Sequence, residues 1–249
     1  MVSAQVPFFQ TNNKNTISNP SQTSSINSGE ITNGLFMDLN AANSSSYPGT
    51  GGIWTDLSGN GNNGALISGI TFSSNNGGTM VFAGTSNNRV QTSFAPTYTD
   101  FTVCVWFKDS GSPQYGRLID KDFVTGFWLG REGSNPNSWG GGVMEANGPY
   151  GIYLPLTDGQ WHFMTSIRSG TTHSLYGDGI TNKVSNTVSA AALSATSIAI
   201  GAWSGGNPSG PWNNQVFNGS IPRVLIYNRA LSENEVLKIF NATKANYGL

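Results

Sequence analysis

The chain has 249 residues, a formal net charge of −1 and 10% charged residues, against about 25% in an average soluble protein. Its 12 Lys and Arg residues are scattered, which argues against nucleic-acid binding, because phosphate recognition needs concentrated positive charge. A single cysteine, Cys104, excludes an internal disulfide and a zinc finger, so a hydrophobic core must hold the fold together.

The N-terminal residues predict a polar segment outside the folded domain. Residues 1–33 are rich in Ser, Thr, Asn and Gln and bury too little apolar surface to fold alone. We expect an extended arm that is either flexible or held by a neighbouring subunit, followed by one domain over residues 34–249. We find no ordinary secretion signal and no apolar run of about 18 residues, so we expect no membrane span. Release by cell lysis, as from a virus particle, would fit this sequence.

The segment DLSGNGNNG, which begins at Asp56, has two interpretations. Asp and Asn side chains bond nearby backbone amides while Gly accepts positive φ, which predicts a rigid loop. The same oxygen-rich side chains could instead form a calcium site.

Short strand patterns follow along the chain. Residues 101–107, FTVCVWF, are apolar on both faces, which predicts a strand covered on both sides. Residues 161–167 alternate, and the Asp178-Gly179 turn closes the next strand. In total we expect about twelve to fourteen short strands, the pattern of an all-β sandwich.

One helix is predicted near the C-terminus. Ser232 is a good N-cap, Glu235 completes a capping box, and Leu231 can pack on Val236. Val236, Ile239 and Phe240 share one helical face, which must be buried, and the preceding β-structure is its natural partner.

Four segments in this order carry a family resemblance: DLSGNGNNG, VFAGTSNNRV, DGQWHFMTSIRSGTTHSLYGDG and FNGSIPRVLIYNRALSENEV. They resemble the laminin-G-like domains of the concanavalin-A-like lectin and glucanase superfamily, from about Gly34 to Leu249. The resemblance implies an all-β jelly-roll sandwich of two antiparallel sheets with a short C-terminal helix. It also implies a glycan-binding or adhesive module, often with calcium. The opening segment GLFMDLNAANSSSYPGTGGIWTDLSGNGNNG and the closing segment NATKANYGL resemble versions of this domain encoded by tailed bacteriophages and other viruses of aquatic microbes.

The resemblance also supplies candidate calcium ligands. The family usually has Asp where this chain has Ala83, and amides stand where related modules place carboxylates. Neutral ligands weaken a calcium site. The candidates for calcium are Asp56, Asn60, Asn62, Asn87 and Asn88.

An active site is not supported by the sequence. Related glucanases resemble one another in a strand with two Glu and one Asp at alternating positions, which this chain lacks. Glu132 and Glu145 could form an acid and base pair only if the fold brings them together. His162 is expected to be structural, and His173 has no obvious Ser or Asp partner for a triad.

Aromatic and amide residues in the loops are the candidate ligand contacts, since aromatic faces stack on sugar rings and amides bond their hydroxyls. The candidates are Trp139, Tyr150, Trp203, Trp212, Asn213 and Asn214. Two alternatives stay open: Trp203 could end a strand in the core while Trp139 pins a loop, or the aromatics could anchor a protein partner.

The sequence therefore predicts a non-enzymatic protein of the virion surface that decorates a capsid or fibre and could bind host glycans. Its arm would contact other virion subunits, as a homo-oligomer or on a lattice. The alternative is a free-standing, extracellular bacterial lectin or adhesin; a glycoside hydrolase is disfavoured for want of a carboxylate constellation.

Overall fold

The computed structural model describes residues 30–249 except 86, 94, 122–125, 134–136, 146–147, 190, 195 and 205–214, and for 145 and 148–150 the backbone alone. The strands are β1 (Leu35–Asn40), β2 (Ile53–Trp54), β3 (Gly64–Ile67), β4 (Thr71–Ser73), β5 (Thr79–Ala83), β6 (Arg89–Thr92), β7 (Phe101–Asp109), β8 (Arg117–Lys121), β9 (Phe127–Arg131), β10 (Ser138–Glu145), β11 (Gly148–Pro155), β12 (Trp161–Ser169), β13 (Thr172–Gly177), β14 (Asn182–Thr187), β15 (Ala199–Ile200) and β16 (Asn218–Tyr227). Helix α1 spans Glu233–Thr243, and short 3-10 helices span Asn75–Gly77 and Lys244–Tyr247.

The strands form two antiparallel sheets of eight strands each. Sheet A has the order β14-β13-β12-β7-β16-β5-β4, with β1 also paired to β16, and sheet B has the order β11-β10-β9-β8-β15-β6-β3-β2. The predicted all-β sandwich with a C-terminal helix is confirmed. The structure has more strands than the about twelve to fourteen expected from turn spacing. Two of them, β2 and β15, are only two residues long and are defined by their pairing partners.

Strand β7 is covered on both sides, as its sequence predicts. Val103, Val105 and Phe107 lie in the core between the sheets. Cys104 and Trp106 alternate with them and lie in a second apolar cluster, which includes residues of α1. Sheet A is therefore a middle layer, and sheet B has no such helix among the described residues.

The predicted capping box starts helix α1. The Ser232 hydroxyl accepts the backbone N–H of Glu235, and the Glu235 carboxylate accepts the N–H of Ser232. Arg229 bonds the same carboxylate and lowers the pKa of Glu235 to about 2. Val236, Ile239 and Phe240 are buried against sheet A, as their spacing predicts.

The segment DGQWHF joins both sheets through side chains. Asp158 accepts hydrogen bonds from Trp139 Nε1 at 2.9 Å and Arg131 Nη2 at 2.7 Å, both from sheet B. On β12 of sheet A, His162 bonds Asp178 through Nδ1 at 2.7 Å and the Thr157 carbonyl through Nε2 at 2.8 Å. Burial alone would lower the pKa of His162, but these two acceptors outweigh it and raise the pKa above its usual value. The expectation of a structural role for His162 fits these contacts.

Candidate functional site

The loop that begins at Asp56 is closed by its own hydrogen bonds. Asp56 Oδ1 accepts the backbone N–H groups of Asp38 at 2.8 Å and Ser58 at 2.9 Å. Asp56 Oδ2 accepts the Ser58 hydroxyl at 2.7 Å and the N–H of Asn62 at 2.9 Å. A carboxylate has about four acceptor sites, and here the chain fills them. The rigid-loop interpretation accounts for this geometry.

The amide candidates for calcium are also used by the chain. Asn60 and Asn62 turn their Nδ2 donors to the Phe36 carbonyl. Asn88 accepts the N–H of Ala83 and donates to the Ser68 carbonyl, in the turn between β5 and β6. Asn87 accepts Arg89 Nη1 at 3.4 Å. Within the described ranges no group of three or more His, Cys, Asp or Glu side chains could hold a metal ion. Asp56 and Asn88 are therefore engaged within the chain, which favours the rigid loop, and calcium binding at these five residues stays a prediction.

Calcium is therefore expected to leave the thermal stability unchanged. At millimolar calcium we expect the Tm to move by less than about 1 °C, because a ligand raises stability only when the folded state binds it. Differential scanning fluorimetry with calcium and with EDTA measures this. A rise of several degrees that Asp56→Asn abolishes would contradict the structural account of the loop.

Trp139 belongs to the core, and its prediction as a ligand contact is wrong. Its side chain is 0% exposed, and its ring lies 4.5 Å from that of Phe107, between centroids. Its Nε1–H donates to Asp158. An indole enclosed in this way has no free face for a sugar ring.

The other predicted contacts are only partly described. Trp203 is half-buried, and its Nε1 has no hydrogen-bond partner among the described residues. The side chain of Tyr150, and all of Trp212, Asn213 and Asn214, lie outside the described residues. Ligand contact by these five residues stays a prediction.

A different aromatic ring, that of Tyr153, lies exposed on the outer face of sheet B. Gly140 of β10 pairs directly with Tyr153 of β11. A Cβ added at Gly140 would come 2.4 Å from the Tyr153 ring, and one at Gly151 would come 2.4 Å from its hydroxyl. The ring therefore packs on glycine backbone, yet Tyr153 is 42% exposed. We call Tyr153 with Gly140 and Gly151 the Tyr153 platform.

Charged groups lie beside the Tyr153 platform. Trp128 is 6.4 Å from Tyr153 between ring centroids, and the Arg117 guanidinium lies 4.3 Å from the Trp128 centroid. Arg117 Nη1 is 3.2 Å from Glu132 Oε2, and its Nε is 3.8 Å from Asp120 Oδ2. Burial and the nearby Glu132 carboxylate raise the pKa of Tyr153, so its hydroxyl remains a hydrogen-bond donor at neutral pH. The site combines a stacking surface with donors and acceptors.

Comparison with known proteins places this architecture in a family. A laminin-G model described as the concanavalin A-like lectin/glucanases superfamily matches residues 82–237. The chain belongs to this superfamily. No curated protein matches it in sequence.

Several solved structures have a fold similar to that of this chain. The binding domain of botulinum neurotoxin DC in complex with SialylT has a TM-score of 0.66 and 13% identity, with 86% of this chain and 52% of that chain covered. The same binding domain in complex with rat synaptotagmin II has a TM-score of 0.64 and 13% identity, with 86% of this chain and 52% of that chain covered. The binding domain of Paraclostridial Mosquitocidal Protein 1 has a TM-score of 0.62 and 16% identity, with 86% of this chain and 53% of that chain covered. The chain thus spans about half the length of these proteins, and at these identities the likeness concerns the fold.

The name of the superfamily includes glucanases, so the positions of the candidate catalytic side chains bear on whether this chain could be an enzyme. Glu132 is committed to an ion pair with Arg117, and the side chain of Glu145 lies outside the described residues. The expectation that His173 has no Ser partner is wrong, because Ser166 Oγ lies 2.9 Å from His173 Nε2. Both side chains are buried on the face of sheet A that contributes Met164 and Leu175 to the core. No substrate reaches this pair, so it is a structural contact.

The buried His173 predicts acid sensitivity. Burial, with a contribution from Arg168, lowers the pKa of His173 to about 4, against about 6.5 in the unfolded chain. Between these two pKa values His173 is protonated in the unfolded state but neutral in the folded state, so the free energy of unfolding falls as pH decreases. The total effect, reached below pH 4, is about 3 kcal/mol. The pKa of His162 is raised in the folded state, so protonation of His162 stabilises the fold. This stabilisation is present at low pH and is lost as pH rises through the folded pKa of His162.

Urea unfolding at pH 7, 5.5 and 4.5 measures the pH dependence. We expect His173→Gln to show a shallower loss of stability below pH 6.5 than the wild type, as Gln can still bond Ser166 but carries no titrating group. His162→Gln serves as control and should steepen the loss or leave it unchanged. Equal slopes for the wild type and His173→Gln would contradict the assignment.

Tyr153 was not among the site residues predicted from the sequence. Its strand and the glycine run of residues 140–142 are both visible in the sequence. That Gly140 pairs with Tyr153 is a matter of strand register, which periodicity does not give. The one available signal was an aromatic residue in a Gly-rich hairpin.

Proposed function

We propose that the protein is a non-enzymatic glycan-recognition module in which Tyr153 provides the stacking surface. The observation that supports this is the Tyr153 platform: one side of the ring packs on glycine backbone, and the residue keeps 42% of its surface exposed. Sugar rings have an apolar face that stacks on such an aromatic surface, while their hydroxyls need donors and acceptors at the edge. Glu132, which is partly exposed and close enough to act on the Tyr153 hydroxyl, can supply acceptor oxygens, and the Tyr153 hydroxyl itself can donate.

The charge of the chain favours a glycan over an electrostatic partner. The formal net charge is −1, so long-range attraction to nucleic acid or to an anionic membrane is weak. Among the described residues, no helix has the length and apolar character needed to cross a membrane. Recognition must come from local contacts, which suits stacking and hydrogen bonding.

The structural neighbours lend limited support. They are binding domains, and one is named in complex with SialylT and another with rat synaptotagmin II. Those partners belong to the toxins, and about half of each toxin domain has no counterpart in this chain. Both a glycan and a protein partner are therefore compatible with the fold, and the Tyr153 platform is what favours the glycan.

Substitution of Tyr153 tests the proposal. We expect Tyr153→Ala to weaken binding to the best glycan of an array about tenfold, a free-energy loss of about 1.4 kcal/mol. Tyr153→Phe should retain most of the affinity, because it keeps the stacking ring. Ile53→Ala, at a residue 50% exposed near the opposite edge of sheet B, is the matched surface control. Isothermal titration calorimetry and Tm values separate lost binding from lost folding. Unchanged affinity in Tyr153→Ala would refute the role of the platform.

We further propose that this module works on a virion surface, where it decorates a capsid or fibre and residues 1–33 contact neighbouring subunits, as a homo-oligomer or on a lattice. The likeness of the opening and closing segments to phage-encoded domains supports this assignment, and residues 1–29 lie outside the described residues. The alternative is a free-standing, extracellular bacterial lectin or adhesin. Deletion of residues 1–30 should abolish co-purification with particles while leaving glycan affinity unchanged. A protein that never associates with particles would favour the alternative.

A further inference from the structure

A polar groove crosses the outer face of sheet A, on the opposite side of the sandwich from the Tyr153 platform. Two adjoining cavities of about 400 and 780 Å³ form it, in the volume range of small-molecule sites. Both cavities are lined by Asn43, Arg223, Ala242 and Thr243, so they lie side by side. Helix α1 and the 3-10 helix that follows it form one wall of this groove.

The floor of the groove is an ion pair between strands β1 and β16. Arg223 Nε is 2.9 Å from Asp38 Oδ1, and Arg223 Nη2 is 2.8 Å from Asp38 Oδ2. This bidentate geometry fixes both planar groups. Both side chains are largely buried, at 13% and 6% exposed, and the attraction of Asp38 keeps the pKa of Arg223 raised despite its burial.

The ion pair retains hydrogen-bonding capacity. A guanidinium has five N–H donors and a carboxylate about four acceptor sites, and the mutual contact uses only two of each. Neighbouring donors and acceptors on a planar pair suit vicinal hydroxyl groups, since one hydroxyl accepts from the guanidinium while the next donates to the carboxylate.

The walls of the groove are rich in neutral polar side chains. They are Asn40, Asn43, Ser44, Ser45, Thr243 and Asn246. Most of these are exposed, and the described hydrogen bonds include none from the side-chain amide of Asn246. The first cavity also has an apolar side, which consists of Ile31, Leu35, Leu57, Leu225, Tyr227, Ile239 and Ala242. Amides and hydroxyls beside an apolar surface match a sugar, because a sugar ring has an apolar face and hydroxyl groups at its edge.

The charges of the lining indicate which sugars would bind. Glu30 and Asp38 face a single Arg223 in the groove, so the described lining carries one excess negative charge. A ligand carboxylate, sulfate or phosphate would compete with Asp38 for Arg223 and be repelled by Glu30. We propose that the groove is a second ligand site that takes a neutral saccharide through vicinal hydroxyls on the Asp38–Arg223 pair.

A bulky residue at the rim tests this site without disturbing its buried ion pair. Ala242 is an exposed residue of α1 that lines both cavities, whereas its exposed neighbour Asn241 lines neither. We expect Ala242→Trp to lower the affinity for a neutral oligosaccharide at least about tenfold, with Asn241→Trp as the matched control that changes nothing. Circular dichroism and Tm values should be the same for both variants.

Calorimetry with gluco-, galacto- and manno-configured trisaccharides, and with counterparts that carry a uronic acid, gives the readout. We expect neutral sugars to bind more tightly than acidic ones, and we expect Tyr153→Ala to leave the Ala242-sensitive binding intact. Loss of binding in Tyr153→Ala alone would uphold the platform and overturn the groove. Loss in Ala242→Trp alone would uphold the groove and refute the platform. Three results would overturn this inference: tighter binding of acidic than of neutral sugars, no neutral sugar bound at the groove, or an extended peptide bound there instead.

Discussion

Trp139→Ala is expected to lower the free energy of unfolding by about 3–5 kcal/mol. The indole is fully buried between Phe107 and Phe217, with ring centroids 4.5 and 6.4 Å away, so alanine leaves a large cavity. The substitution also removes the Nε1–H group that donates a hydrogen bond to Asp158. Asp158, in a loop that joins the two sheets, then has one fewer hydrogen-bond partner. Urea unfolding followed by circular dichroism measures the loss.

Trp139→Phe separates the two contributions of the indole. It keeps most of the ring volume but removes the donor to Asp158, so we expect a loss of about 1–3 kcal/mol. Glycan affinity per folded molecule should be unchanged in both variants. A stable Trp139→Ala protein that has lost glycan binding would restore the ligand role that the sequence suggested.

Trp106→Ala is expected to cost a similar amount, about 3–5 kcal/mol, and to loosen the C-terminal helix. Trp106 lies on the outer side of sheet A, 4.2 Å from Tyr247, 5.0 Å from Phe163 and 5.8 Å from Phe240 between ring centroids. Its Nε1–H donates to Thr243 Oγ1 at 3.0 Å. Without this ring the helix loses its central contact with the sheet.

Limited proteolysis reports on the helix directly, because cleavage follows the population of opened molecules. We expect faster cleavage within residues 233–249 in Trp106→Ala and little change in Trp106→Phe. Trp161→Ala is a matched control on the same sheet: Trp161 is only half-buried and lies 4.9 Å from Tyr247, so its loss should be smaller. Equal losses in Trp161→Ala and Trp106→Ala would argue against Trp106 as the main helix contact.

Local sequence patterns predicted the features that depend on nearby residues. The capping box at Ser232 and Glu235 needs three residues, and the apolar face of α1 needs one helical period. The two-sided burial of β7 follows from its uninterrupted apolar sequence. The Asp56 loop was predicted as one of two alternatives, and the four hydrogen bonds that its carboxylate accepts favour the rigid loop.

The candidate sites depend on contacts between distant segments. Trp139 and Tyr153 are both aromatic residues of a Gly-rich region, and nothing in their neighbours says which one is enclosed. The pairing of β10 with β11 and the packing of sheet B on sheet A bury the first and expose the second. Asp38 and Arg223 are 185 residues apart, and only the register of β1 on β16 brings them together.

The architecture of this protein, with its short alternating strands, turns and one capped helix, can thus be predicted from the sequence, because each of these elements depends on neighbouring residues. Which side chains a ligand could contact depends instead on the packing of distant segments. Exposure of Tyr153 and formation of the Asp38–Arg223 pair depend on strand register and on which face of each sheet is covered. A pattern with a period of two residues leaves both choices open.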